Sequence, residues 1–411
     1  MDETPRLKAR AAVAAFVAVA VFAGTWFLLH HGFYRHNRII DTPIYEEYGN
    51  AIWDGKVPYR DFKLEYPPGA LPMFAIPGFA RPAKGHTLAP RFTRTFETLM
   101  WICGAIALCA MALVTLALRE SPWAPLLFTA VAPLALGSVI LTRFDLWPAA
   151  LVAAAVAALV SEKVRLGHAL LGFGVAAKIY PAVLVPLAVT YVWKRHGRRE
   201  ALVCLAWAVG VLAAIFLPFV VIAPGGVWHS VSFQLGRPLQ VESLGASLLL
   251  AAHHAFGVGI TGDTSHGSQN LVGGTADLLG AASTVAQALV LIWIWTVFAR
   301  GRATKDALVR AVAVAVCSFV AFGKVLSPQF LIWLLPLVPL VRGRRGVWAS
   351  ALLLASLILT QIWFPFRYYR LAEHFEAGLS WVLLARNLTL VALTAVLLIS
   401  LRRAAIRRGS P

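Results

Sequence analysis

Apolar residues in this chain come in long runs rather than on alternating positions. The runs lie at about 11–30, 98–118, 123–141, 146–160, 166–178, 180–193, 201–222, 275–299, 307–322, 327–341, 347–364 and 379–401. A helix crosses a bilayer core with roughly 20 such residues. Several of the runs are shorter than ~17 residues and contain Pro or Gly, so tilted or broken spans are expected there. The period-two pattern of a membrane barrel is absent, which leaves helices as the backbone form that satisfies its own hydrogen bonds in lipid. The pattern predicts an all-α, polytopic membrane bundle of about twelve spans, a single domain over residues 1–411. The opening Arg6-Lys8-Arg10 and the apolar stretch 11–29 resemble a signal peptide. The stretch is too long and lacks a small-x-small cleavage site, so it reads as a retained first span.

Composition strengthens this picture. Of 411 residues, 59% are hydrophobic and 14% charged, against about a quarter charged in soluble domains. The net charge of +18 raises the question of nucleic acid, and its placement answers it. Lys194, Arg195, Arg198 and Arg199 lie between two runs, as do Arg342, Arg344 and Arg345, while Arg402, Arg403, Arg407 and Arg408 follow the last. Short basic loops mark the cytoplasmic side of a plasma membrane protein. That side then receives both termini and 119–122, 161–165, 194–200, 300–306 and 342–346. No nucleic-acid partner is expected. Cys103, Cys109, Cys204 and Cys317 all fall within apolar runs and read as buried free thiols.

The opposite, extracytoplasmic side receives 31–97, 142–145, the break near 178–180, 223–274, 323–327 and 365–378. These segments hold nearly all the Asp and Glu and most of the His. In the first large loop, 31–97, Ile44, Tyr45, Tyr48 and Ile52 recur at helical spacing, with Glu46, Glu47 and Asn50 read as the opposite face. An interfacial helix is expected there, with Asp41 or Thr42 as its cap, Pro43 in its first turn and Gly55 ending it. Glu65-Tyr66-Pro67-Pro68 must form an extended turn, and a second interfacial stretch should cover about 69–80. In the second large segment, 223–274, residues 257–274 read as a loose polar loop.

The candidate chemistry lies on that side. Lys178, before Ile179-Tyr180-Pro181, and Lys324, in Gly323-Lys324-Val325-Leu326-Ser327-Pro328-Gln329, have no carboxylate next to them in sequence. Cations at membrane depth are functional candidates by default, and a lipid phosphate is their natural partner. Arg237 in Arg237-Pro238-Leu239-Gln240-Val241-Glu242-Ser243 belongs with them. Displacing a phosphate from an anomeric carbon needs a base for the incoming hydroxyl and cations for the leaving group, but no second carboxylate. Asp41 is the candidate base. Glu65, Tyr66, Arg143, Asp145, Tyr180, Gln240, Glu242 and Gln329 are candidate sugar or acceptor contacts. Each has a structural alternative. Asp41 could serve only as a helix cap, Arg143 could pair with Asp145, and Glu65-Tyr66-Pro67-Pro68 could be only a rigid turn. Lys178 and Lys324 could snorkel to headgroups, and Arg237 could pair with Glu242. His253, His254 and His266 do not form a metal set, because neighbouring helical residues point apart. Neither a metal nor a cofactor is expected.

Asp41 soon after the first span, Tyr59-Arg60-Asp61-Phe62 with Glu65-Tyr66-Pro67-Pro68, Lys178-Ile179-Tyr180-Pro181, and the Arg237–Ser243 and Gly323–Gln329 stretches together resemble glycosyltransferase family 87. The resemblance runs from about residue 35 to 390. It implies a GT-C-like fold with interfacial helices in the first loop, an inverting transfer, and a catalytic aspartate in that loop, which falls on Asp41. It also implies a polyprenyl-phosphate-linked sugar donor, its phosphate met by some of Lys178, Arg237 and Lys324. The family includes enzymes that transfer mannose from a polyprenol phosphate. Mannose or another hexose, passed to a lipid or glycan acceptor of the cell envelope, is the expected reaction. A transporter or lipid-linked-sugar flippase is the alternative, and it would place charges along a path through the bundle and on both faces.

Overall fold

The computed structural model describes residues 4–35, 39–79 and 90–406. Arg407 and Arg408 of the terminal basic cluster, and residue 80 of the second interfacial stretch, lie outside them. The described chain is overwhelmingly helical. It forms two compact units, Met1–Pro133 with Ser138–Leu235, and Leu134–Gly137 with Gly236–Pro411.

Among the described residues, six helices are long and apolar enough to cross a membrane: Pro5–Leu28, Pro90–Ala117, Tyr180–Ile222, Gly274–Arg300, Arg344–Trp363 and Ala377–Ala404. Shorter apolar helices account for most of the other expected runs. The runs expected at 180–193 and 201–222 join into one long helical segment that kinks at Gly197, whose φ of 86° no ordinary helical residue adopts. The kink falls inside the basic cluster Lys194–Arg199. The run at 123–141 breaks into Trp123–Val131, Pro133–Leu136 and Val139–Thr142. Pro133 and Gly137, the latter at φ 79°, sit at its interruptions. The run at 327–341 becomes two 3-10 segments, Pro328–Leu334 and Val338–Leu340.

In the first unit each membrane helix leans on the next. Thr4–Leu28 packs on Pro90–Ala117, which packs on Leu146–Val160, then Val164–Ala177, then the kinked segment from Val185. The first loop forms the short helices Thr42–Trp53 and Pro72–Gly78, which pack on one another. A Cβ on Gly49 would lie 2.5 Å from the Phe74 carbonyl oxygen, and one on Gly78 would lie 2.7 Å from the Gly49 backbone. Glycine at both positions permits this close crossing. The amphipathic assignment of the first helix needs correction. Thr42, Tyr45, Glu46 and Gly49 share the buried face, while Ile44 is exposed. The face is set by spacing of three, four and seven residues from Thr42, which puts Glu46 inside and Ile44 outside.

In the second unit Ala377–Ile406 is the hub. Lys305–Phe322, Arg344–Trp363 and Leu244–Phe256 all pack against it. Residues 257–274 are not a loose loop. Thr261–Ser265 and Ser268–Val272 form an antiparallel hairpin, joined on its other edge by Leu239–Gln240. His266 and Gly267, at φ 55° and 65°, make a two-residue turn with both φ values positive, as a tight hairpin requires. Leu244–Phe256 was also absent from the expected runs. Ser243 caps it by accepting from the Ala246 N–H, and Gly257 closes it at φ 70°. The cysteines are all free, but Cys109 is exposed rather than buried, on the outward side of Pro90–Ala117.

Candidate active site

The first unit gathers four charged side chains. Asp41 sits at the N-terminus of Thr42–Trp53, yet its side chain makes no capping bond. It pairs instead with the Arg143 guanidinium. Asp145 repeats this arrangement at the N-terminus of Leu146–Val160: it also leaves its helix uncapped, and Lys178 Nζ donates to its Oδ1 over 2.6 Å. Arg143 and Asp145, two residues apart, therefore reach different partners rather than one another. Lys178 is not isolated either, since its partner lies 33 residues away in sequence. Both acids start helices, where the backbone dipole favours negative charge without a cap bond.

Local sequence explains the placement. Val164–Ala177 ends at Lys178, whose extended backbone (φ −161°, ψ 143°) turns the chain ahead of Pro181. Proline there has no N–H to continue the helix, and its ring collides with the carbonyl four residues back. The Glu65–Pro68 turn lies against this break. A Cβ on Gly69 would come within 2.6 Å of the Ala176 backbone, and Trp147 Nε1 donates to the Gly69 carbonyl over 3.0 Å. Tyr66 is held by the Tyr59 hydroxyl, which donates to its carbonyl over 2.6 Å. The Glu65 carbonyl accepts from Gln234 Nε2 over 3.2 Å.

An aromatic wall surrounds the charges. Tyr45 stacks on Phe74 with centroids 4.9 Å apart and meets Phe144 edge-on at 5.7 Å. Tyr66 meets Phe144 edge-on at 4.9 Å. Lys178 Nζ lies 4.8 Å from the Phe144 ring centroid, a cation–π contact. The Tyr45 hydroxyl donates to Asp41 Oδ2 over 3.4 Å. Burial, then the neighbouring Tyr66 and Asp41, push the Tyr45 phenol well above its ordinary pKa, so it stays a donor. Burial and Asp41 do the same to Tyr66. Within the four, the Asp145 side chain is 1% exposed and that of Asp41 25%. Asp41 is thus the carboxylate an incoming group can reach. Tyr180 is fully buried at the start of the 3-10 turn after Lys178.

The second unit gathers the remaining candidates. The Gln240 N–H donates to the Lys324 carbonyl over 3.0 Å, fixing the Leu239–Gln240 strand beside the Gly323–Ser327 stretch. Gln240 Nε2 donates to the Glu242 carboxylate and, over 2.9 Å, to Ser327 Oγ. Arg237 Nη2 donates to Ser268 Oγ over 3.0 Å. Three basic groups influence one another here. The Lys324 pKa is lowered by burial and by the charge of Arg237. That of His266 is lowered by burial and by Arg237, with Lys324 adding to it and Asp263 opposing it. Gln329 is half-buried in the 3-10 segment after Pro328. Among the described residues no group of three or more His, Cys, Asp or Glu is placed to hold a metal ion.

Two further residues escaped the sequence reading. Arg386 and Asn387 lie inside the last apolar run and are buried beneath Glu242. Arg386 Nη2 donates to the Glu242 carbonyl over 2.9 Å, and Asn387 Nδ2 to the same carbonyl over 3.2 Å. A lone arginine within an apolar span was signal enough to have found them.

Comparison with known proteins adds the following. The model of glycosyltransferase family 87 matches residues 64–328, and that of a mannosyltransferase family (PIG-M) matches residues 267–401. Asp41 precedes the first of these ranges, and Arg386 falls in the second. No match to a curated protein was found. Among solved structures, an Archaeoglobus fulgidus oligosaccharyltransferase, solved with a disulfide-tethered acceptor peptide, is similar at 14% identity and a TM-score of 0.45. The alignment covers 98% of this chain and 56% of that one, so the chain spans about half that protein's length.

Proposed function

This chain belongs to glycosyltransferase family 87 and is a membrane hexosyltransferase of the GT-C, mannosyltransferase-like kind, and on that footing we propose that it takes its sugar from a polyprenyl phosphate. The sugar is mannose or another hexose. The acceptor is a lipid or glycan of the cell envelope, met at the extracytoplasmic face of the plasma membrane, with both chain termini in the cytoplasm. The flippase alternative is set aside on family membership.

Asp41 is the general base. It takes the proton of the acceptor hydroxyl as that oxygen bonds to the anomeric carbon, and the carbon–oxygen bond to the donor phosphate breaks on the opposite side. The anomeric configuration inverts. The polyprenyl phosphate leaves as a weak base, so cations stabilise it without donating a proton. The observation that carries this reading is the state of Asp41: a helix-starting carboxylate that does not cap, reachable from outside, and oriented by Arg143 and Tyr45.

The charge pattern refines the roles. Asp41, Arg143, Asp145 and Lys178 balance to zero, which suits proton transfer and fits an anion poorly. We therefore move Lys178 from the phosphate to a supporting role beneath the base, and leave the phosphate to Arg237 and Lys324. Glu65, Tyr66 and Tyr180 remain sugar or acceptor contacts of the first unit. Gln240, Glu242 and Gln329 keep that role in the second.

The test is incubation of the purified protein with short-chain polyprenyl-phosphate hexoses and membrane lipid extract, followed by mass analysis. The expected result is consumption of donor with a product heavier than an extract component by one hexose. Donor left intact with every hexose tried would overturn the reading.

A further inference from the structure

Arg386 is fully buried in the helix Ala377–Ile406, within one of the membrane-spanning candidates. Only one of its nitrogens, Nη2, finds a hydrogen-bond acceptor, the Glu242 carbonyl; Nε and Nη1 have none among the described atoms. Its guanidinium lies 5.5 Å from the Trp363 ring centroid. The Glu242 carboxylate, itself 2% exposed, acts on it through charge. Asn387, the next residue, donates to the carbonyls of Glu242 and Ser243 and to Ser247 Oγ. The last span thus grips the Gln240–Ser243 turn from below by its backbone and opposes its one carboxylate.

A buried guanidinium with two idle nitrogens is an expensive way to hold a turn, since asparagine alone reaches the same carbonyl. Charge supplies a reason for it. Glu242 lies in the same short stretch as Arg237, and Gln240 ties that stretch to Lys324. Without an opposing charge, the carboxylate would turn its field, or its oxygens, on those two cations. The other charged groups here, His266 and Asp263, lie on the hairpin that Arg237 touches through Ser268.

We propose that Arg386 is a positioning residue for donor binding: it engages Glu242, so that Arg237 and Lys324 keep their positive charge for the donor phosphate. This rests on the assignment of the phosphate to Arg237 and Lys324. It makes Glu242 and Arg386 a pair whose joint removal is tolerated and whose separation is not.

The test is donor KM and kcat at pH 8 for Arg386→Met and for Arg386→Met with Glu242→Gln, with melting temperature as a check on folding. The single variant should raise donor KM about tenfold or more with little change in kcat. The double variant should return donor KM to within about threefold of wild type, as replacement of a whole buried pair commonly allows. An unchanged KM in the single variant, or no recovery in the double, overturns the proposal. If the single variant fails to fold, the double variant decides alone: near-wild-type donor KM supports the pair, and a tenfold rise refutes it. Arg237→Ala measured alongside separates the two failures. If it leaves donor KM unchanged, the phosphate assignment is wrong. If it raises donor KM while the double variant stays impaired, only the role of Arg386 is wrong.

Discussion

The Asp41–Lys178 cluster and the Arg237–Lys324 cluster solve opposite electrostatic problems. In the first, each acid faces a base across a short contact, the sum of charge is zero, and aromatic rings fill the space around them. In the second, Arg237, Lys324 and His266 crowd together and depress the ionisation of the two that can lose a proton. A balanced set can hold a carboxylate ionised and oriented without attracting a phosphate. A like-charged set is costly until an anion arrives. The contrast separates proton transfer from leaving-group stabilisation, and it does so within each unit on its own contacts.

The comparison breaks most sharply at Lys178. Lys178→Met leaves Asp145 buried with its main counter-charge gone, and the expected loss is about 3–5 kcal/mol of stability. Adding Asp145→Asn should return most of it. Chemical denaturation of the two variants reads the difference, and equal stability of both would show that the contact is not a pair. The cationic cluster should respond in affinity instead. Arg237→Ala and Lys324→Ala are each expected to raise donor KM about tenfold while sparing stability, and the loss should shrink as salt rises. A fall in kcat at unchanged KM would place these residues on the acceptor side.

The smallest effect concerns pH. Burial and the charge of Arg237 hold the His266 pKa below its ordinary value, so it is neutral at pH 7. A depressed folded-state pKa makes protonation unfavourable for folding. Its share of stability is full above the unfolded histidine value and is lost as pH falls through the folded one. A bound phosphodiester, which does not itself titrate there, reverses the preference, so donor affinity should rise a few-fold on acidification from neutral. His266→Gln should flatten that rise, and an unaltered profile in the variant would remove His266 from the cluster.

What the sequence made legible follows physical range. The apolar runs are local, and every one corresponds to helical structure, including the pair joined at Gly197 and the run at 327–341 chopped by proline into 3-10 segments. Asp41 was visible because a helix start after Pro-containing sequence is a local signal; that it does not cap was not visible. The Asp41–Arg143 and Asp145–Lys178 contacts depend on helix packing between residues far apart in the chain, and no spacing rule encodes them. The hairpin at 261–272 was missed for a different reason. Its polar strands, with little to bury, lack the alternation that betrays a sheet, and only the His266-Gly267 turn signals it. Arg386 was readable and overlooked, because a single charge does not disturb the hydropathy of a long run.

The central claim is that Asp41 receives the proton of the acceptor hydroxyl. Single-turnover transfer by Asp41→Asn, measured beside binding of an unreactive donor analogue, tests it most directly. The expected result is transfer slowed about a thousandfold with donor binding unchanged. Transfer within tenfold of wild type would contradict the account.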